Sequence, residues 1–160
     1  MTIMETDNAD SVDERTTPDL TKIRFDELET VEMTQADSET EFGVSIPFAP
    51  EFPATTGLEL SGGHTVVYTE IPPGKELGTH TDSPEELLVC LEGDGVEIWA
   101  GDGGGELAAG EMAVFPAMEP HGLRNTGSET ARFVAFFSDS TTVHEFEAPL
   151  DPLGDSIVRT

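Results

Sequence analysis

Four residues in the middle of the chain have the types and the spacing to bind a divalent metal ion: His80, Asp82, Glu86 and His121. In an extended strand, residues two apart point to the same face. In the stretch LGTHTDSPEELLVC, His80 and Asp82 therefore share a face. Beyond the turn residues Ser83 and Pro84, the residues Glu86, Leu88 and Cys90 share a face of the next strand. A hairpin that lays these faces together makes His80, Asp82 and Glu86 converge. A third stretch, FPAMEPHGLRN, presents His121 with Leu123 and Asn125. Two imidazoles and one or two carboxylates meeting inside a barrel form a nitrogen and oxygen site for a divalent ion. Two histidines with one carboxylate and open positions serve non-haem iron oxygenases, and two histidines with a glutamate serve catalytic zinc. An inward Glu86 beside Leu88 and Cys90 needs such a partner to stay charged.

The elements that must position these groups read as strands. Apolar residues recur in short bursts over 42–48, 64–71, 86–91, 96–100, 111–115, 131–137 and 142–146. Each burst is strand length, and the breakers between them (PPG, EGDG, GDGGG, NTGSE) are turn chemistry. No segment sustains a helical period, so the pattern predicts an all-β sandwich or barrel over residues 21–160. Residues 1 to about 20 are polar and acidic without apolar periodicity, and read as a disordered tail. The glycine-rich run at Gly101–Gly105 lacks the Lys-Ser/Thr and helix of a phosphate loop and reads as a hairpin turn.

The same residues resemble the two signature motifs of the cupins. The first motif is met by Gly74, His80, Asp82, Glu86 and Gly93, with Asp82 where the family has a second histidine. The second is met by Gly110, Pro116, Met118, His121 and Asn125, with Met118 where the family has a glycine. The resemblance implies an antiparallel, jelly-roll type β-barrel of six to eight strands, a metal held by the motif histidines and glutamate, and a homodimer. Asp82 is open to three roles: direct ligand, ligand through a water, or an acid standing back from the ion as a general base. If it ligates, its oxygen shifts the preference toward Fe(II) or Mn(II) and away from copper, with Zn(II) or Ni(II) as alternatives. Met118 implies a turn that differs from the family's. Glu85 can replace Glu86 only if the register slips by one. Asn125 is expected to hydrogen-bond the turn, Arg124 to face outward, and His64 and His144 to serve structural duties.

Charge narrows the partners. The 33 acidic residues against 7 Lys and Arg give a net charge of −26. They are spread along the chain, with 13 in residues 1–50, 10 in 51–100 and 10 in 101–160, which is the distribution of a carboxylate-coated surface and not of an acidic tail. Molar salt shortens the Debye length to about 3 Å and screens the self-repulsion of such a surface. The acidity thus reads as adaptation to a salty cytoplasm. Nucleic acid and anionic membranes are disfavoured partners. No 18-residue apolar run and no basic, apolar leader is present, which points to a cytoplasmic location. Cys90 is the single cysteine, so no internal disulfide forms, and its apolar setting predicts a buried thiol.

The function expected from these residues is that of a metal-dependent enzyme, dioxygenase-like, in which Leu88, Cys90 and Leu123 line the cavity. Across the strand bursts over 42–146 only Lys75, Arg124 and Arg132 are cationic and no inward Arg is evident, so the substrate expected is a neutral or aromatic small molecule. Isomerase or lyase chemistry, a non-catalytic metal or metabolite sensor, and a barrel whose site has decayed are the alternatives. The salt reading has its own test. The melting temperature followed by circular dichroism should rise between about 0.1 M and about 1 M salt. A melting temperature that does not change overturns the halophilic reading.

Overall fold

The computed structural model describes residues 20–160. All but the last residue of the acidic tail expected over residues 1–20 lies outside them. Twelve strands and one short 3-10 turn (Phe25–Glu27) make up the described chain. The strands are β1 (Val31–Gln35), β2 (Glu41–Ser45), β3 (Thr65–Ile71), β4 (Glu76–Asp82), β5 (Glu86–Glu92) and β6 (Val96–Ala100). They continue with β7 (Gly103–Glu106), β8 (Met112–Phe115), β9 (His121–Asn125), β10 (Ala131–Phe137), β11 (Val143–Asp151) and β12 (Asp155–Arg159). All ladders are antiparallel. They form one curled sheet in the order β7-β6-β9-β4-β11-β1-β2-β3-β10-β5-β8, with β12 on β11. The strand count exceeds the six to eight that the resemblance implies, and β1, β4, β7, β9 and β12 lie outside the apolar bursts.

The two-residue alternation that predicted strands is what builds the interior. On β11, His144, Phe146 and Leu150 are buried while Val143, Glu145 and Glu147 are exposed. On β5, Glu86, Leu88 and Cys90 face inward. Phe133, Ala135 and Phe137 of β10 join the core they enclose. Gly101–Gly105 forms the turn and outer strand of the β6–β7 hairpin, as its composition suggested.

The expected β4–β5 hairpin is not formed. Strand β4 pairs with β9 and β11, whereas β5 pairs with β10 and β8. Ser83, Pro84 and Glu85 instead carry the chain from one wall to the other. At about 3.3–3.6 Å per residue, such a link spans the roughly 10 Å between packed sheets. His80 and Asp82 therefore meet Glu86 across the interior and not side by side. Glu85 is exposed, so the register that would substitute it for Glu86 is not adopted.

One irregularity aims the site. In the β4–β9 ladder Leu77 opposes Leu123 and His80 opposes His121, so β4 spends three steps where β9 spends two. This bulge lets both Leu77 and His80 reach the interior although they are an odd number apart in sequence. It is accommodated opposite Gly122, the β9 residue that pairs with Trp99 of β6. A Cβ at Gly122 would lie 2.7 Å from Trp99 Cε2 and 2.9 Å from the Leu77 carbonyl oxygen. The Trp99 indole is held over this spot by the hydrogen bond its Nε1 donates to Thr79 Oγ1, 2.9 Å long. Gly122→Ala should therefore lower the unfolding free energy by about 1–3 kcal/mol through overpacking. Urea denaturation measures it, and an unchanged midpoint would show that the bulge does not depend on this contact.

Candidate metal centre

His80, Asp82, Glu86 and His121 come together from β4, β5 and β9, all buried, with one donor atom of each within 4.8 Å of the others. The two imidazoles are fixed in the same way. His80 Nδ1 donates to the Gly78 carbonyl at 2.8 Å, and His121 Nδ1 donates to the Glu119 carbonyl at 2.8 Å. A carbonyl only accepts, so each Nδ1 carries the proton and each Nε2 is directed into the cluster. Aromatic rings set the planes. Phe146 stacks on His80 with centroids 4.6 Å apart, and Phe115 stacks on His121 at 4.3 Å.

The carboxylates crowd the His121 nitrogen. His121 Nε2 lies 2.9 Å from Glu86 Oε1 and 3.0 Å from Asp82 Oδ2. His80 Nε2 lies 3.6 Å from Asp82 Oδ1. One imidazole nitrogen supplies at most one proton, and its angle suits Glu86, leaving Asp82 Oδ2 buried without a hydrogen-bond partner. An octahedral ion with bonds of about 2.1 Å holds neighbouring ligand atoms about 3.0 Å apart, which is the distance of His121 Nε2 from Glu86 Oε1 and Asp82 Oδ2. A bound cation would satisfy the orphaned oxygen, so these residues fit the group that the family resemblance implies.

Without a cation, the electrostatics of the cluster are tense. Burial pushes His80 down to about 4 despite the charge of Asp82, so this imidazole stays neutral. Burial would also lower His121, but the Asp82 and Glu86 carboxylates against its Nε2 outweigh it and raise it to about 10. Burial drives Glu86 up to about 7 against the hydrogen bond from His121, and the charge of Asp82 adds to the rise. For Asp82 the opposite balance holds. Burial opposes ionisation, yet His121, His144 and the nearby His80 hold the carboxyl far below the usual range.

The remaining expectations divide. Asn125 binds its turn, donating to the carbonyls of Ile71 and Glu129 and accepting from the Gly127 amide. Arg124 faces out and pairs with Glu76 at 3.1 Å. Leu88 and Leu123 line the cavity, whereas Cys90, buried as expected, lies in the core away from it. His64 is exposed and lies outside the cluster. Met118 adopts a positive φ of 65, the left-handed region that favours glycine, at a backbone cost of about 1–2 kcal/mol. Its amide donates to the Asp82 carbonyl at 2.8 Å, so the strained turn is tied to the site. His144, expected to be merely structural, is the residue that sequence reasoning missed. It reaches Asp82 Oδ1 with its Nδ1 at 2.6 Å. The signal available was its place two residues before Phe146 on an alternating strand.

No curated protein sequence matches the chain significantly. Residues 67–137 match the Cupin_2 family (Cupin domain), a stretch that contains all four clustered residues. Among solved structures, a cupin 2 conserved barrel domain protein from Rhodopseudomonas palustris is 15% identical, with a TM-score of 0.56 over 70% of this chain and 72% of that one. A predicted oxalate decarboxylase from Thermotoga maritima is 19% identical, with a TM-score of 0.57 over 74% of this chain and 99% of that one. An oxalate oxidase in complex with the substrate analogue glycolate is 20% identical, with a TM-score of 0.51 over 62% of this chain and 51% of that one. At these identities the likeness is one of fold. The described chain has the all-β, antiparallel jelly-roll architecture of the cupins.

Proposed function

We propose that the protein is a small cupin that binds one divalent metal ion through His80, Asp82, Glu86 and His121 and uses it in dioxygenase-like catalysis on a small neutral molecule. The observation that carries this reading is Asp82 Oδ2, buried without a hydrogen-bond partner among the described residues and 3.0 Å from His121 Nε2, in a cluster whose two imidazoles are tied through Nδ1 to backbone carbonyls. Two imidazoles with carboxylate oxygens favour Fe(II) or Mn(II). Such an ion, when bound, would supply Lewis acidity and an open position for dioxygen or substrate. Asp82, held ionised by its histidines, is fitted to bind a cation and poorly fitted to take up a proton, so the ligand role is favoured over that of general base.

The cavity selects by size and charge. It holds about 70 Å³ and is walled by Phe42, Phe52, Phe115, Phe137 and Phe146. A cavity of about 150 Å³ accommodates benzene. An aromatic ring, one of the two substrate classes left open by the cation count, is thus too large without a widening of the walls. Among the described residues, no Lys or Arg lines the cavity. Lys75 lies near Glu39 and Glu41, and Arg132 binds Glu70, Tyr68 and Glu92. The dianion for which two of the similar solved structures are named would meet two carboxylates here and no Lys or Arg among the described residues. A neutral molecule of a few non-hydrogen atoms suits the site better.

Elemental analysis of protein purified in high salt without chelators tests the reading. About one equivalent of iron or manganese per chain is expected in the wild type and close to none in His121→Ala, with oxygen uptake confined to the loaded wild type. Stoichiometric zinc would shift the assignment toward isomerase or lyase chemistry. No metal after anaerobic reconstitution overturns it.

We further propose a homodimer. Phe136, Leu87 and Val114 stand side by side on the outer face of β10, β5 and β8, at 39%, 37% and 53% exposure, with Met112 beyond them at 58%. Strand β8 ends the sheet order, so its outer edge is unpaired among the described residues. An apolar row beside a free edge on so acidic a protein suits a second copy. Sedimentation in high salt should give the mass of two chains for the wild type and of one for Val114→Lys. A single-chain mass for the wild type overturns the dimer.

A further inference from the structure

His144 lies on β11 directly opposite Asp82 in the β4–β11 ladder and is 8% exposed. Its Nδ1 is 2.6 Å from Asp82 Oδ1, and its Nε2 is 2.8 Å from Thr142 Oγ1, which in turn lies 2.5 Å from Thr160 Oγ1. The direction of this relay is set by its charged end. An ionised Asp82 only accepts, so His144 Nδ1 carries the proton toward it, and in the neutral ring Nε2 accepts from the Thr142 hydroxyl. Thr142 Oγ1 then accepts from the Thr160 hydroxyl, while Thr160 Oγ1 accepts from the Thr142 amide at 3.2 Å. Every member of the relay has a partner, and both ring nitrogens of His144 are used.

The two oxygens of Asp82 are thereby made unequal. Oδ1 is committed to His144, while Oδ2 faces His121 Nε2 at 3.0 Å and has no hydrogen bond. Resting on the metal-site reading above, we propose that His144 is a positioning residue that keeps Asp82 Oδ1 out of the coordination sphere and turns Oδ2 alone toward the ion. A carboxylate free to rotate can chelate through both oxygens and so occupy a further position. With four one-atom ligands, a six-coordinate ion keeps two positions for substrate and dioxygen. With Asp82 chelating, one of them is lost. The imidazole that the motif lacks at position 82 thus reappears one strand away, behind the carboxylate that replaced it.

The test loads the metal-free full chain with Mn(II) or Co(II), reading affinity by calorimetry and coordination by the Co(II) absorption spectrum. His144→Leu is expected to weaken Mn(II) binding by about ten- to hundredfold, the usual effect of losing a hydrogen bond to a ligand. It should also shift the Co(II) visible bands, as the second Asp82 oxygen takes one of the two positions otherwise open. His144→Asn, which keeps an N–H donor near Oδ1, is expected to retain most of the affinity and the wild-type spectrum. If His144→Leu fails to fold by circular dichroism, Thr142→Val removes only the partner of Nε2 and should show the same spectral change with a smaller loss of affinity. Wild-type affinity and spectrum in His144→Leu, or in Thr142→Val where that variant carries the test, overturn the positioning role and leave the metal site standing. A loss in His144→Asn as large as in His144→Leu overturns it equally. A wild-type chain that binds neither ion brings down the metal reading and the positioning role with it.

Discussion

Two carboxylates buried within hydrogen-bonding distance of a single imidazole nitrogen form the arrangement on which the rest of the structure depends. A buried charge without a partner is among the costliest features a fold can carry. Here Asp82 and Glu86 are 1% and 7% exposed, and between them stands His121 Nε2 with one proton to offer. Everything around the cluster restricts how it can relax. Carbonyls of Gly78 and Glu119 hold the Nδ1 atoms, Phe115 and Phe146 hold the ring planes, and His144 holds one oxygen of Asp82. These surroundings leave the cluster few ways to rearrange, and its four side chains form a possible metal site.

The walls show how a regular sheet yields to this demand. An uninterrupted β4 would place Leu77 and Thr79 on one face and Gly78 and His80 on the other. The bulge opposite Gly122 breaks that parity, so the apolar side chain and the imidazole both face the cavity. Gly78 contributes twice, by supplying the carbonyl for His80 and by leaving room for Thr40, whose Oγ1 would lie 2.5 Å from a Cβ there. Met118 shows the same pressure from the other side. A residue without glycine's freedom adopts the left-handed turn because its amide must reach the Asp82 carbonyl.

These particulars explain what was legible in the sequence. The alternation along β5, β9 and β10, the turn chemistry between strands and the spacing of His80, Asp82, Glu86 and His121 are local patterns with a fixed geometric meaning. They sufficed for the fold class and for the convergence of the four side chains. What was not legible depends on pairing. Nothing in Ser83-Pro84-Glu85 distinguishes a tight hairpin from a crossing between walls, because either is compatible with three turn-forming residues. The bulge exists only relative to β9. His144 reads as one more inward residue of an alternating strand until β11 is laid beside β4, when it falls opposite Asp82. Sequence neighbours give faces, and only ladder partners give contacts.

The contrast between surface and cavity bears on selectivity. A chain with a net charge of −26 attracts every cation in solution, and in molar salt most of those are monovalent. Charge alone therefore cannot choose a divalent ion. The choice must come from donors that alkali ions bind poorly, held at spacings that a transition ion satisfies. Two imidazole nitrogens provide the first condition. Carbonyl-locked rings and a carboxylate fixed by His144 provide the second. Burial adds a third, because salt screens exposed charges over a few ångströms and reaches interior pairs much less. Ionic strength that screens the outer carboxylates thus reaches Asp82 and Glu86 much less.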